Sequence, residues 1–342
     1  MRVPGAGFEP TPSLSTLLAS LLKALQLSKG KWIIQTMDET DLILSKMLLF
    51  NSRTPYRALA EALGLSVNAV HKRIQSMVEE EVIRGFTTKV SLSSLGAFHI
   101  FIHGRSEAES TYSIMEALGD HESIYWVTLA GGNYVYVGAH LRGIQELPEL
   151  VEFVGEAGRM PGATVGIIHE DFSGKGRPLD ELLQPLDWGI IRSLSHDSRK
   201  ATTSIAEEVG ASSRTVRRRL TRLMEENLVE FSIKWYPSAT NDINTAIHLE
   251  PGSASAEEVI GRFMSEYQPN ALFAWRFSNL PDQVIALLWS PSMNKLRELT
   301  ERMAGDEAFS STTPIILYAG NLYETWRDRL VVEKAGPPRG DM

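Results

Sequence analysis

Residues 212–226 read SSRTVRRRLTRLMEE, and this stretch decides how the rest of the chain is interpreted. Serine is a preferred helix cap, and Val216, Leu220 and Leu223 recur at the spacing that places one apolar stripe along a helix. Upstream, TSIAEEV (203–209) is a second short helix that ends at a glycine. The pattern predicts two helices joined by a tight turn, the second with a basic outer face, which is the helix-turn-helix arrangement. Taken alone, a basic amphipathic helix is also compatible with an ordinary solvated surface.

A second copy of this unit lies earlier in the chain. Shifted by 146 residues, which brings Asp41 onto Asp187, residues 41–86 superimpose on 187–232 without a gap. The positions that carry the same residue in both copies are Asp41, Leu48, Ser52, Arg53, Ala60, Glu61, Gly64, Ser66, Val70, Arg73, Glu79 and Glu80. Because the turn glycine, the capping serine and the core stripe recur in register, we infer a duplicated folding unit and two reading heads.

Composition limits the classes of protein that fit. A chain of 342 residues with 43% hydrophobic content is long and apolar enough to form two or more domains. Its net charge of −8 means that any affinity for nucleic acid must come from local basic patches. One such patch is 199–222, with seven Arg or Lys against two Glu. The chain has no cysteine, which excludes disulfides and thiolate metal sites, and no apolar run long enough for a bilayer. We expect a cytoplasmic protein without cofactor, metal or membrane contact.

Residues 1–36 differ in composition from the rest of the chain. Glycines and prolines open the segment, and 14–27 (LSTLLASLLKALQL) is a leucine-rich amphipathic pattern. Three interpretations remain open: a secretory signal, which Lys23 interrupts; a helical arm that aids oligomerisation; or an over-extended reading frame, with the natural start at Met37.

From 38 onwards the first unit continues into a β-prone run, as a winged helix-turn-helix does into its wing. The residues LAEALGLSVNAVHKRIQSMVEEEVIRGF, followed by SLSSLG, resemble the Lrp/AsnC (feast/famine) family of transcriptional regulators. The resemblance rests on the spacing of the scaffold helix, the cap serine, the core valine, the Arg-Ile pair and the closing Val-Ile-x-Gly. It implies a DNA-binding unit and, after it, a module that senses small ligands and oligomerises.

The pattern after each head alternates strands and helices in the order βαββαβ, which predicts a ferredoxin-like sandwich. The fold class is therefore α+β, with two winged helix-turn-helix domains alternating with two ferredoxin-like domains. We expect an extension (1–36), a first head (37–90), a first sheet module (91–170), a linker (171–184), a second head (185–235), a second sheet module (236–330) and a disordered tail (331–342). A helix is expected over 322–330, and the paired units should form an intramolecular pseudo-dimer that further self-associates.

The candidate DNA-contacting residues are chosen by the helical angle of each side chain. Arg and Lys attract phosphate, Arg pairs with guanine, and Asn or Gln pairs with adenine. The candidates are Ser66, Asn68, His71, Lys72, Arg73 and Gln75 in the first head, and Ser212, Arg214, Arg217, Arg218, Arg219 and Arg222 in the second. Arg73 and Arg219 lie at the edge of the apolar stripe, so either a phosphate contact or a structural role is expected of them. Because the heads differ, one chain should prefer unlike half-sites about one helical turn, or a multiple of it, apart.

The resemblance also implies an effector, such as an amino acid, bound near a Gly-x-x-Asp hairpin. Here the hairpin carries Gly131, Gly132 and Asn133 and lacks the acidic residue. These three residues are the candidate effector site, and the alternative is that they form only a tight turn.

Two further functions compete with sequence-specific regulation. Siroheme decarboxylases resemble the same two-part architecture and would need basic and histidine side chains in the sheet module. His99 and His103 lie about 13 Å apart along an extended strand, too far to share a metal, and His121, His140 and His169 are single. We therefore expect no enzyme activity. An architectural DNA-binding protein would bind with little sequence preference.

Overall fold

The computed structural model describes residues 37–168 and 179–336. Within them, two winged helix-turn-helix heads alternate with two ferredoxin-like sheet modules, which confirms the predicted fold class. The expectations for the amino-terminal segment, for most of the linker and for the last residues of the tail lie outside the described residues. No helix in the described part is both long and apolar enough to cross a membrane.

The first head is built from three helices and a strand: α1 (Glu39–Phe50), α2 (Tyr56–Leu63), α3 (Val67–Glu79) and β1 (Ile83–Val90). Helix α1 begins at a capping box formed by Asp38 and Asp41. Helix α2 ends at Gly64, whose φ of +65° is a left-handed conformation that glycine adopts without strain. The tight turn between α2 and α3 therefore depends on the glycine that both copies share.

The first sheet module comes directly after the first head. Its elements are α4 (Leu92–Leu95), β2 (Phe98–Arg105), α5 (Thr111–Gly119), β3 (Ile124–Ala130), β4 (Tyr134–Leu141), α6 (Leu147–Ala157) and β5 (Thr164–Ile167). The helices cover one face of the sheet, where Ile100, Leu118 and Val154 belong to one buried cluster. Such a layer of helices on a four-stranded antiparallel sheet is the predicted ferredoxin-like sandwich.

The second head repeats the first. A short helix, α7 (Leu179–Leu182), precedes it, and its own elements are α8 (Pro185–Leu194), α9 (Thr202–Val209), α10 (Ser213–Glu225) and β6 (Val229–Trp235). Helix α9 ends at Gly210 with φ +67°, the counterpart of the first head's turn glycine. The predicted apolar stripe of α10, made of Val216, Leu220 and Leu223, is buried in the core of this head.

The second sheet module has the same element order as the first. It comprises β7 (Ile243–Pro251), α11 (Ala256–Glu266), β8 (Ala271–Arg276), β9 (Val284–Ser290), α12 (Met293–Ala304) and β10 (Phe309–Leu322), and the helix α13 (Trp326–Ala335) comes after it. The final strand, β10, is long because it pairs with β7 along one part and with β3 along another.

The expected helix over 322–330 is wrong in position. Strand pairing continues to Leu322, and the helix begins at a capping box formed by Thr325 and Asp328. The predicted disordered tail, 331–342, is likewise wrong at its start. Val331 is buried in the core of the second head, which holds the end of α13 in place.

The two sheet modules form one sheet of eight strands in the order β5-β2-β4-β3-β10-β7-β9-β8. Antiparallel pairing of β3 with β10 joins the modules. A bridge between Ile168 and Phe277, next to the two edge strands, brings the ends of the sheet together. The faces that carry no helices meet inside, where Phe101 and Tyr136 of the first module pack with Ile285 of the second. The duplicated units thus form the expected intramolecular pseudo-dimer.

Candidate nucleic-acid interface

The outer face of α10 carries three exposed arginines, Arg214, Arg217 and Arg218. Within the described part of the chain, no carboxylate forms an ion pair with any of them. The opposite face, which contains Leu220 and Leu223, is buried. The helix therefore presents three unpaired guanidinium groups to solvent while its apolar side fixes it to the head.

Arg222 does not belong to this outer face, which corrects the expectation from its helical angle. Its Nη2 donates to Oδ2 of Asp187 at 2.8 Å and to the carbonyl of Leu182 at 2.8 Å. Arg219 donates to the same carboxylate oxygen at 3.3 Å. Asp187 has no exposed side-chain surface, so two arginines compensate a fully buried charge. Helical angles cannot show this, because a long arginine can bend around the helix towards a carboxylate.

The first head contains the equivalent internal ion pair. Arg73 Nη1 lies 2.7 Å from Oδ1 of Asp41 and 2.8 Å from Oδ2 of Asp38. The hydrogen bond to Asp41 raises the pKa of the Arg73 guanidinium above its usual value. Of the two expectations for Arg73 and Arg219, the geometry favours the structural one: each arginine attaches the recognition helix of its head (α3 or α10) to an earlier helix of that head (α1 or α8). The sequence alone gives the acidic partners no role, although Asp41 recurs as Asp187 in the duplication.

The remaining candidates of the first head are exposed: Asn68, His71, Lys72 and Gln75. The side chain of Gln75 donates to Oε1 of Glu79 at 3.0 Å. This helix contains one lysine, one arginine and one glutamate, against five arginines and one glutamate in α10. The two helices therefore present different charges and different donors to solvent.

The two candidate serines cap the recognition helices. The hydroxyl oxygens of Ser66 and Ser212 accept backbone N–H groups of Ala69 and Thr215, each at 3.1 Å. Both serines are exposed at the helix start, where the positive end of the helix dipole favours an anion. A phosphate contact by the cap residues is compatible with this position and stays a prediction.

Contacts between the heads are reciprocal. Arg53 donates to the carbonyl of Ser198, and Arg199, its counterpart, donates to the carbonyls of Ser52 and, at 3.2 Å, Thr54. The hydroxyls of Ser52 and Ser198 share a hydrogen bond. Strands β1 and β6 also pair antiparallel with one another. Equivalent residues thus meet across an approximate twofold relation, which fixes how the recognition helices stand relative to each other.

Comparison with known proteins agrees with this architecture. A family model described as winged helix-turn-helix DNA-binding matches residues 37–84 and 183–230. The HTH-type transcriptional regulator LrpA of Pyrococcus horikoshii is 27% identical over 129 residues, which cover 37% of this chain and 90% of that protein. An uncharacterized HTH-type transcriptional regulator of Pyrococcus furiosus is 31% identical over 124 residues, 36% of this chain and 83% of that protein.

The chain belongs to the Lrp/AsnC family. Each of these regulators aligns with little more than a third of the chain, and the helix-turn-helix model matches twice, so this Lrp/AsnC chain contains a tandem duplication. The solved siroheme decarboxylase NirDL covers more of it: 87% of this chain and 98% of that one, with a TM-score of 0.56 and 14% identity. At that identity the similarity concerns the fold only.

The candidate effector hairpin is a tight turn in this Lrp/AsnC chain. Gly131–Asn133 forms a short 3-10 turn, with φ of +71° at Gly132 and +57° at Asn133. The carbonyl of Asn133 accepts the backbone N–H of Ser106 at 2.8 Å, and its side-chain amide donates to the carbonyl of Ala108 at 3.4 Å. The asparagine thus fixes its own loop, and an effector role for the three residues stays a prediction.

The histidines are less scattered than the sequence suggested. His140 lies opposite His99 on the neighbouring strand, with 5.1 Å between ring centroids, and His99 Nε2 is 2.8 Å from the hydroxyl of Tyr125. The expectation that His140 stands alone is wrong because spacing along one strand does not reveal cross-strand neighbours. His121 packs on Phe153, and His169 lies outside the described residues.

A second pair of histidines lies inside the sheet. His103 Nδ1 is 2.8 Å from the hydroxyl of Tyr134, and His248 Nε2 is 2.8 Å from that of Tyr136. The two imidazoles are 5.2 Å apart. Burial, with a smaller contribution from His248, lowers the pKa of His103 to about 4. Among the described residues, no three His, Cys, Asp or Glu are placed to hold a metal.

Proposed function

We propose that the chain is a sequence-specific DNA-binding transcriptional regulator with two non-identical reading heads. The observation that carries the proposal is the outer face of α10, where Arg214, Arg217 and Arg218 are exposed and have no carboxylate partner in the described chain. Arginines that form no internal ion pair on such a helix are available to bind the phosphates and guanines of a DNA major groove.

The two heads should read different sequences. In the second head, Arg214 and Arg218 are the candidates for bidentate pairing with guanine, and Arg217 for phosphate. In the first head, Asn68 offers an amide that suits adenine, and Lys72 offers a point charge that suits phosphate. Loss of one base-reading contact should cost about 1–3 kcal/mol at the correct site. Because the reciprocal contacts fix the heads, a non-palindromic footprint with a set spacing is expected.

Selection from random duplexes with the full chain tests this proposal. Arg218→Ala should relax the preference in one half of the selected site, and Asn68→Ala in the other. Arg297→Ala removes an exposed arginine from the second sheet module and is the matched control for charge. It should leave the selected sequence unchanged.

Two outcomes would contradict the proposal. If both head variants relax the same half of the site, the heads are not distinct. If random DNA competes as well as the selected site, the architectural alternative is correct. In that case Arg218→Ala lowers affinity for every duplex by a similar factor.

The decarboxylase alternative shares the overall fold. Its test is absorbance during incubation of the chain with siroheme: a bound tetrapyrrole spectrum with loss of carboxyl groups would favour an enzyme. We expect neither, because His103 and His140 are buried and burial lowers the pKa of both, so at neutral pH they offer no positive charge to a carboxylated ligand.

A further inference from the structure

A cavity of about 580 Å³ lies where the first head, strand β6 and both sheet modules meet. We call it the junction cavity. Its walls come from the end of α1, from β6 and the turn after it, from the start of β7, and from β3, β8, β9 and β10. Volumes of this order hold small organic ligands. None of the residues assigned to DNA, and none of the candidate effector turn, belongs to its walls.

The walls are formed largely by aromatic rings. The residues that contribute rings are Tyr125, Trp126, Trp235, Tyr236, Phe273, Trp275 and Tyr318. The ring planes of Phe273 and Trp275 are inclined by 28°, with 5.9 Å between centroids. Aromatic rings make their most favourable contacts with other flat, apolar groups, either stacked or edge-on. The aromatic lining of the cavity therefore favours a planar ring system.

One side of the cavity is acidic and accepts hydrogen bonds. Asp242, only 9% exposed, accepts from the backbone N–H of Met37 at 2.9 Å and from the hydroxyl of Thr240 at 2.8 Å, both through Oδ2. Its Oδ1 receives no hydrogen bond from the described residues, and neither does Oδ1 of the buried Asn244. A buried oxygen without a donor costs free energy, which a ligand N–H would recover.

We propose that the junction cavity binds a flat, largely apolar ring compound that carries a positively charged amine, with the rings against the aromatic walls and the amine at Asp242 and Asn244. A cation is favoured because the partners of the Asp242 carboxylate in the described chain are the Met37 N–H and the Thr240 hydroxyl, with no arginine or lysine among them, and because aromatic faces attract cations. A carboxylate ligand, such as a free amino acid presents, would meet Asp242 as a like charge.

Three acridines of similar size test the ligand chemistry on the full chain in the absence of DNA. Aminacrine is a cation slightly above neutral pH, acridine is neutral, and acridine carboxylate is an anion. Binding is followed by fluorescence anisotropy of the acridine and by titration calorimetry. We expect each chain to bind one aminacrine, at least about tenfold more tightly than acridine carboxylate. The carboxylate probe lacks the charge-assisted hydrogen bond to Asp242 and is repelled by that residue.

Three variants test whether the ligand binds in the junction cavity. Asp242→Asn keeps an acceptor for Met37 and Thr240 but removes the charge. It should lower the affinity for aminacrine by about tenfold and change the affinity for acridine little. Ser238→Trp places a ring at an exposed residue of the cavity wall and should abolish binding of both. Asp282→Asn removes an equal charge from an exposed loop away from the cavity and should change neither.

The proposal is overturned by failure of aminacrine to bind at millimolar concentration, by equal affinity for all three probes, or by binding that survives Ser238→Trp. Circular dichroism of each variant separates a lost site from a lost fold. These measurements need no DNA, so their failure would leave the proposed regulator intact. Should they succeed, the shared strand β6 connects the ligand with the contact between the heads.

Discussion

Arg222→Ala should destabilise the chain although the residue lies on a recognition helix. Asp187 is fully buried and holds Arg222 at 2.8 Å, Arg219 at 3.3 Å and the backbone N–H of Gln184 at 2.9 Å. Removing one partner of a buried ion pair costs about 3–5 kcal/mol. Because Arg219 remains and Arg222 is itself 32% exposed, we expect about 2 kcal/mol.

Urea denaturation measures the effect as a loss in the free energy of unfolding. Arg218→Ala, one turn earlier on the same helix and fully on the outer face, is the control and should stay within about 0.5 kcal/mol. In an Asp187→Asn background, Arg222→Ala should cost less than about 1 kcal/mol, because the buried charge is gone. The reasoning is refuted if Arg222→Ala is as stable as Arg218→Ala and weakens DNA binding as much.

Three other perturbations should have measurable effects. His103 should contribute a loss of about 2 kcal/mol in stability as the pH drops from 7 to about 5, because the unfolded chain protonates His103 near 6.5 whereas burial, with His248 beside it, holds its folded pKa at about 4; the free energy of unfolding of His103→Phe should depend less on pH by this amount. Arg217→Ala should reduce the slope of log affinity against log salt by about 1, and an unchanged slope would show that it contacts no phosphate. Arg53→Ala combined with Arg199→Ala should broaden the range of half-site spacings that the chain binds, measured on duplexes with stepped spacers.

The helices of the heads could be predicted closely because their signals are local. The turn glycines, the cap serines and the apolar stripe each act within one or two helical turns, and the structure has all three where the sequence predicts them. The sheet modules could be predicted as elements in the right order for the same reason. Duplication strengthened both predictions, since each copy tests the interpretation of the other.

Contacts between distant segments could not be predicted in the same way. Nothing in the spacing of β3 or β10 indicates that they pair, and this pairing is why β10 extends to Leu322. The junction cavity needs strands from both modules, so no single stretch reveals it. Arg222 shows the limit on the site itself: its angle on the helix was predicted, but the position of its acidic partner was not.

The duplication separates what holds each head together from what each head presents to solvent. Asp41 and Arg73 recur as Asp187 and Arg219, and they form the same internal ion pair in both heads. At the outward positions the copies differ; Asn68, for example, corresponds to Arg214. Two separate chains of one sequence would present identical helices, whereas covalent fusion, with the heads joined by reciprocal contacts, lets each helix change alone. A regulator built this way gains unlike half-sites without losing the geometry that sets their spacing.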